Sequence, residues 1–250
     1  MKKFTKILLI GCLLVTVSCN NWLDVDPKSQ VKDKDLFASE MGFKEALSGV
    51  YSLMTKEALY GKELTFGWLG VLGQEWTSVP YNYEDDQKYD FENAASEVRI
   101  DSVWTGLYNA IANANKLLKE LEGNENLFSG DNYFIIKGEV LALRAYLHFD
   151  LLRIFGASCT VGMERIAIPY VTEYAPTIFP QEKVGDFVGK VLKDLQDAAK
   201  CLENDPILTG RTVSEIDDNG YLMNRQVHLN YYAVKGLMAR VYLYKGDYAN

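Results

Sequence analysis

The chain has 250 residues, of which 26 are Lys or Arg and 34 are Asp or Glu, so its formal net charge is −8. This charge argues against nucleic acid as a partner, because phosphate binding needs a basic surface. With 48% hydrophobic and 12% aromatic residues, the chain is rich enough in apolar groups to form a substantial single core.

The N-terminus has the layout of a secretory lipoprotein signal. Lysines among the first six residues precede an apolar run over residues 7–17, which is shorter than the roughly 20 residues needed to span a bilayer. The run ends in the sequence TVSC, a lipobox in which Thr16 stands where an aliphatic residue is usual. We therefore predict cleavage before Cys19 and lipidation of that residue, in preference to an ordinary signal peptide. Residues 19–34 then form a polar tether, and residues 35–250 form the folded domain.

The folded domain is predicted to be helical. Apolar residues recur at helical spacing in five segments, namely residues 43–54, 104–121, 133–155, 187–202 and 230–244. Asp101 is the predicted N-cap of the second helix, and Gly246 is the predicted stop of the fifth. The third segment is apolar on nearly every side, which indicates a central buried helix. No stretch alternates with period two for long enough to predict a sheet, so the expected fold class is all-α.

The last predicted helix resembles the first helix of a tetratricopeptide hairpin. Ala239, Tyr242 and the turn at residues 246–248 match that pattern. The second helix of such a hairpin buries the apolar face of the first, and it would begin where the sequence ends at Asn250. We therefore expect this sequence to be a fragment or a truncated form of a longer protein.

The cysteines and acidic residues leave two structural alternatives open. Cys159 and Cys201 can form one disulfide in an oxidising export compartment, or they can remain two buried thiols. Residues 215–220 place oxygen ligands at positions 1, 3 and 5 with glycine at position 6, as in the front of a calcium loop. Position 12 is Gln226, which cannot supply the bidentate carboxylate. We therefore favour a polar turn over calcium, and we predict no cofactor.

No catalytic arrangement is recognisable in the sequence. The two histidines are His148, which lies in a largely apolar helix and is predicted to be a core residue, and His228. The sequence has neither a nucleophile elbow nor a phosphate-binding loop. We predict that the protein is not an enzyme.

Residues 66–91, the aromatic loop, are the predicted ligand site. Aromatic side chains crowd into this irregular segment beside amides and carboxylates, and sugar rings stack on aromatic faces while their hydroxyls bind polar groups. The alternative is that the aromatic rings only pack the loop onto the helices. The candidate ligand contacts are Trp76, Tyr81, Asn82, Tyr83 and Trp68.

Several motifs, taken in order, resemble the SusD/RagB family of surface lipoproteins. Residues 22–27 (WLDVDP) follow Cys19 as the family's post-lipidation motif does, and residues 104–115 are similar to its pattern W..lY.aI..aN. Residues 138–156 are the most specific match, and residues 237–244 close the series. The sequence departs from the family at residues 156–159 (GASC), where Gly-Asp or Gly-Gly followed by Pro is usual.

The resemblance implies a fold of tetratricopeptide-like helical hairpins with long irregular loops, of which this chain lacks the C-terminal part. It implies a non-enzymatic, lipid-anchored receptor at the cell surface, which captures oligosaccharides and delivers them to a TonB-dependent SusC-like transporter in the outer membrane. The alternatives are a RagB-like receptor for peptides, a helical-repeat scaffold that binds a partner protein, and a surface hydrolase whose catalytic residues lie in the missing part.

Overall fold

The computed structural model describes residues 33–209 and 220–249, and the chain divides into two units, Met1–Leu36 and Phe37–Asn250. In the first unit, the described residues form helix α1 (Asp33–Leu36). The predicted signal peptide, Cys19 and nearly all of the predicted tether lie outside the described residues. Residues 215–219 of the calcium-like turn also lie outside them.

The second unit is built mainly from helices, as the sequence predicts. Its long helices are α2 (Glu40–Met54), α5 (Ala94–Leu121), α6 (Asn132–Phe155), α7 (Val184–Cys201) and α8 (Tyr231–Lys245). Its shorter helices are α3 (Trp68–Leu72) and α4 (Glu84–Gln87), with single 3₁₀ turns at Tyr81–Tyr83, Glu125–Leu127, Pro206–Leu208 and Arg225–Val227.

Capping residues define the start of α5 and both ends of α8. The side chain of Asn230 accepts a hydrogen bond from the Ala233 N–H at the start of α8, and Gly246 ends that helix with a left-handed φ of 77°. The prediction of Asp101 as an N-cap is wrong. Helix α5 begins earlier, because the Asn93 side chain caps it by accepting from two backbone N–H groups, so Asp101 lies about two turns inside the helix.

A small sheet interrupts the helical fold between α6 and α7. Strand β1 (Ile166–Pro169) pairs antiparallel with β2 (Gln181–Lys183), placing Ile166 opposite Lys183 and Pro169 opposite Gln181. The prediction that no sheet would form is therefore wrong in this segment. Strands of four and three residues are too short to produce a recognisable alternation of apolar and polar side chains.

The core is organised around α6, which packs against both α5 and α7, while α8 packs mainly on α7. Leu143, Leu147 and Leu151 of α6 are completely buried, which confirms the predicted central helix. Each such side chain contributes about 1.5–3 kcal/mol by leaving water. Helices α6 and α7 approach closely at Gly138, where a β-carbon would lie 2.7 Å from Leu202 Cγ.

Polar side chains from two helices anchor residues 169–172, which begin at the last residue of β1. Tyr108 and Asn115 of α5 donate to the backbone oxygens of Pro169 and Val171, both at 2.9 Å. Arg144 of α6 donates to the Thr172 oxygen at 3.2 Å and forms two hydrogen bonds of 2.7 Å with Asp194 of α7. His148 of α6 accepts from the Val171 N–H at 2.9 Å. All four side chains belong to the motifs quoted above, which therefore have a structural role here.

Cys159 is buried, Cys201 is half-buried, and both are free. The β-carbon of Cys201 lies 3.0 Å from the position that a β-carbon would take on Gly138, near the start of α6. Cys159 instead follows the end of α6 at Phe155. Helix α6 places Gly138 and Phe155 about 26 Å apart. The four residues from Phe155 to Cys159 span at most about 14 Å, so Cys159 cannot return to Gly138, beside which Cys201 lies. A disulfide needs Cα atoms within about 7 Å.

In the described part of the chain, no helix combines the length and the apolar character needed to cross a membrane.

Candidate ligand-binding site

The aromatic loop contains two kinds of aromatic side chain. Trp68 and Tyr83 are buried, with 3% and 6% of their surface exposed. Trp76 and Tyr81 are 46% and 86% exposed, and Asn82 is exposed as well. The structure therefore separates the five predicted contact residues into a buried pair and an exposed set of three.

A buried ion pair holds the base of the loop on helix α5. The Asp86 carboxylate is fully buried, and it accepts hydrogen bonds from the Trp68 indole N–H at 3.0 Å and from the Arg99 guanidinium. Arg99 also donates to the backbone oxygen of Asn82 at 3.0 Å. Because a buried carboxylate is stable only when it is paired and hydrogen-bonded, this contact fixes α4 and the 3₁₀ turn against α5.

Glu63 completes the base beneath Trp68 and Tyr83. Its carboxylate accepts from the Tyr83 hydroxyl at 2.7 Å and from the Trp68 backbone N–H at 2.9 Å. The Arg99 guanidinium lies 4.0 Å above the Tyr83 ring, a cation–π contact. Burial, together with the hydrogen bond to Glu63, raises the pKa of the Tyr83 phenol, so this hydroxyl remains a donor. For these two aromatic residues the geometry favours packing of the loop over contact with a ligand.

Two glutamines connect the two halves of the loop above this base. Gln74 Nε2 donates to the Gln87 backbone oxygen at 2.8 Å, and Gln87 Nε2 donates to the Trp76 backbone oxygen at 2.9 Å. The Tyr89 hydroxyl donates to the Leu72 oxygen at 2.9 Å. Gln74 and Tyr89 adopt left-handed φ values of 55° and 61°, which are uncommon for residues other than glycine. Such backbone conformations persist only where surrounding contacts enforce them, and they concentrate at functional sites.

Trp76 is held in a defined orientation at the surface. Its indole N–H donates to the Phe66 backbone oxygen at 3.2 Å, and the Phe66 side chain is itself 59% exposed. Gly70 allows this position, because a β-carbon there would lie only 2.8 Å from Trp76 Nε1. Since the N–H is already bonded, the indole can offer a ligand its face rather than its donor. We name Phe66, Gly70 and Trp76 the Trp76 platform.

A carboxylate that was not among the predicted site residues lies beside this platform. Glu75 Oε2 lies 3.2 Å from the same β-carbon position on Gly70. It is therefore within about 6 Å of the Trp76 indole nitrogen. The signal available in the sequence was its adjacency to Trp76, but adjacency alone does not reveal on which side of the ring a carboxylate lies.

Neither histidine is placed for catalysis. His148 is completely buried, and Nδ1 and Nε2 bond to the Arg144 oxygen and the Val171 N–H, so it is a core residue as predicted. His228 contacts the buried Glu139 carboxylate at 3.1 Å, within an ion cluster that also includes Arg225. Within residues 33–209 and 220–249, no group of three or more His, Cys, Asp or Glu side chains could hold a metal ion.

The chain is similar to proteins of one family. Residues 21–243 match the SusD-like family described as starch-binding and associating with the outer membrane. SusD-like protein P38 of Formosa agariphila is 24% identical over 207 residues, which cover 81% of this chain and 39% of that protein.

Solved structures show the same fold. A SusD superfamily protein from Bacteroides fragilis has a TM-score of 0.67 at 19% identity, covering 85% of this chain and 48% of that one. A laminarin binding SusD-like protein has a TM-score of 0.58 at 21% identity, covering 83% of this chain and 41% of that one. These likenesses confirm the tetratricopeptide-like helical fold. The chain spans less than half the length of each of these relatives.

Proposed function

Because this chain belongs to the SusD-like family described as starch-binding and associating with the outer membrane, we propose that it is a glycan-binding lipoprotein and not an enzyme. It captures oligosaccharides at the cell surface and delivers them to a TonB-dependent SusC-like transporter. Its action is binding and release, so no bond in the glycan is broken.

The Trp76 platform is the observation that carries this proposal. An exposed indole, held by its own N–H and lying beside exposed Phe66, offers a flat apolar face on which a sugar ring can stack. Tyr81 and Asn82 are exposed in the 3₁₀ turn that Arg99 holds in place. Stacking on one ring contributes on the order of 1 kcal/mol, which suits a receptor that must also release its ligand.

The known relatives suggest the first ligand to test. One protein of the same fold is named a laminarin binding protein, so laminarin oligosaccharides are a suitable probe. Calorimetry on the purified protein is expected to show binding that Trp76→Ala and Tyr81→Ala each weaken roughly five- to tenfold, the equivalent of about 1–1.4 kcal/mol.

Tyr232 provides a matched control for these variants. Its side chain is 58% exposed on α8, outside the aromatic loop, so Tyr232→Ala removes a comparable exposed ring and should leave binding unchanged. Unchanged affinity in both loop variants would refute the site. A neutral peptide that binds in place of any glycan would favour the peptide-receptor alternative.

Membrane attachment in this proposal depends on Cys19. Each buried methylene of an attached acyl chain contributes about 0.8 kcal/mol of membrane affinity, so several chains hold a protein firmly. Cys19→Ala is therefore expected to move the protein from the outer-membrane fraction to the soluble fraction. Co-purification with a TonB-dependent transporter, lost in the Cys19→Ala variant, would support delivery. A Cys19→Ala variant that stays in the membrane would contradict the lipid anchor.

A further inference from the structure

We propose that Glu75 and Trp76 together form a sugar subsite that selects neutral glycans and rejects anionic ones, such as uronate-containing or sulfated chains. This inference rests on the proposed function, and it names the class of ligand that the same site accepts.

The position of Glu75 is the first argument. Its carboxylate and the Trp76 indole N–H both border Gly70, where a β-carbon would meet them at 3.2 and 2.8 Å. Glu75 is exposed, and it forms no hydrogen bond or ion pair with any side chain in residues 33–209 and 220–249. An ionised carboxylate only accepts hydrogen bonds, through two oxygens. A sugar ring stacked on the indole presents hydroxyl donors at its rim, so Glu75 can accept from them.

The orientation of Trp76 is the second argument. Its only donor is already bonded to the Phe66 oxygen, so the indole has no N–H to offer to an anionic group. A carboxylate or sulfate on the ligand would therefore meet an apolar face and a carboxylate, without a donor from either residue. A neutral hydroxyl would meet an acceptor.

The charge of the surrounding loop is the third argument. Exposed Glu84 and Asp90 lie in the same loop, and the one lysine in the loop sequence, Lys88, lies 4.0 Å from Asp85. By Coulomb's law, a second negative charge about 6 Å from Glu75 is disfavoured about threefold even in water. Further acidic side chains increase this factor.

Matched probes test the selectivity. Laminarin oligosaccharides and the same oligosaccharides after partial carboxymethylation differ in charge at equal length. Calorimetry on the purified protein at low salt is expected to show at least threefold weaker binding of the carboxymethylated form. Added salt is expected to narrow this difference, because it screens exposed charges. A steric effect of the added groups would not respond to salt.

Variants of Glu75 separate its charge from its hydrogen bonds. Glu75→Gln keeps an acceptor but removes the charge, so it should improve binding of the carboxymethylated probe about threefold relative to laminarin. Glu75→Ala should weaken laminarin binding severalfold. Glu122→Gln is the control, because this exposed residue lies at the far end of α5, about 35 Å along the helix from Arg99. Glu122→Gln should leave the affinities for laminarin and for the carboxymethylated probe unchanged.

The outcomes distinguish this inference from the proposed function. The charge selection is overturned if both probes bind equally, or if Glu75→Gln leaves the ratio of the two affinities unchanged. A loss of laminarin binding in Trp76→Ala would still support the glycan site. Failure of every neutral glycan tested to bind overturns both. Far-ultraviolet circular dichroism verifies that each variant folds, as expected for an exposed side chain.

Discussion

Gln74 and Gln87 each use the side-chain amide to bind backbone across the aromatic loop, at 2.8 Å to the Gln87 oxygen and at 2.9 Å to the Trp76 oxygen. This pair of bonds enforces the left-handed backbone at Gln74, directly before the carboxylate and the indole of the proposed subsite. The exposed side chains therefore occupy a rigid frame before a ligand arrives. A binding site that is already ordered loses less conformational entropy when it binds.

Gly70→Ala is expected to weaken glycan binding without lowering stability. The new methyl group would meet the Trp76 indole at 2.8 Å, and this exposed side chain can move away at little cost to folding. Alanine also favours the helix by up to about 1 kcal/mol over glycine. Calorimetry should show a severalfold loss of laminarin affinity, and thermal unfolding should show an unchanged or raised midpoint.

Gly49→Ala is the control for this change. Gly49 lies in helix α2, and a β-carbon there would meet nothing within 4 Å. The variant should gain helix stability and keep its affinity for glycan. If Gly70→Ala also kept full affinity, the orientation of Trp76 could not be important for binding.

Asp86→Ala is expected to lower the free energy of unfolding by about 3 kcal/mol, because the buried Arg99 guanidinium then keeps only Glu63, at 3.7 Å, as a carboxylate partner. Urea denaturation followed by tryptophan fluorescence measures this change. The double variant Asp86→Leu/Arg99→Met removes both charges and should recover part of the lost stability, although it leaves the Trp68 indole N–H without its acceptor. A double variant as unstable as Asp86→Ala would show that the ion pair itself is essential.

Gly138→Ala is expected to destabilise the packing of α6 on α7 by about 1–3 kcal/mol, a typical cost of overpacking a core. Its β-carbon would lie 2.7 Å from Leu202 Cγ and 3.1 Å from the Ala198 backbone oxygen, which cannot rotate away. Gly189→Ala, in α7, has open space and should instead be stabilising. Urea denaturation measures the free energy of unfolding of both variants. Equal changes in Gly138→Ala and Gly189→Ala would contradict the close approach at Gly138.

Stability is expected to fall below pH 6.5 because of His148. Burial lowers the pKa of this imidazole from 6.5 to about 3, so the unfolded chain binds a proton between these values and the folded chain does not. The stabilisation is complete above pH 6.5 and is lost progressively as the pH falls toward 3. Between pH 7 and pH 5, this group therefore lowers the free energy of unfolding by about 2 kcal/mol.

The bonds of His148 explain why protonation conflicts with the fold. The Val171 N–H can only donate, so Nε2 must accept and the proton resides on Nδ1, which faces the Arg144 oxygen. Urea denaturation at pH 7 and pH 5 should show a smaller difference for His148→Gln than for the unaltered chain. An equal difference in both would assign the pH dependence to other groups.

Apolar spacing predicted the long helices well, because α6 is buried on nearly every side and the others bury one side against the core. The start of α5 was not predictable in this way. Its first turns, from Ala94 onward, carry few large apolar side chains, and the Asn93 cap precedes the periodic part by about three turns.

The aromatic loop shows what local sequence cannot predict. Trp68 and Trp76 both lie in this loop, yet only Trp68 is buried. Its burial depends on Asp86 and Arg99, which lie 18 and 31 positions further along the chain and meet only when α5 packs beneath the loop. The segment was predictable from its composition, while the division into buried and exposed rings depends on tertiary contacts.

The four-point attachment of residues 169–172 also has a practical meaning. The exposed residues 173–178 leave the body at this fixed point and return to it at β2, so a short insertion between them would not strain the core. An epitope tag placed there would remain accessible to an antibody. Staining of intact cells with that antibody would then report on which side of the outer membrane the domain is displayed.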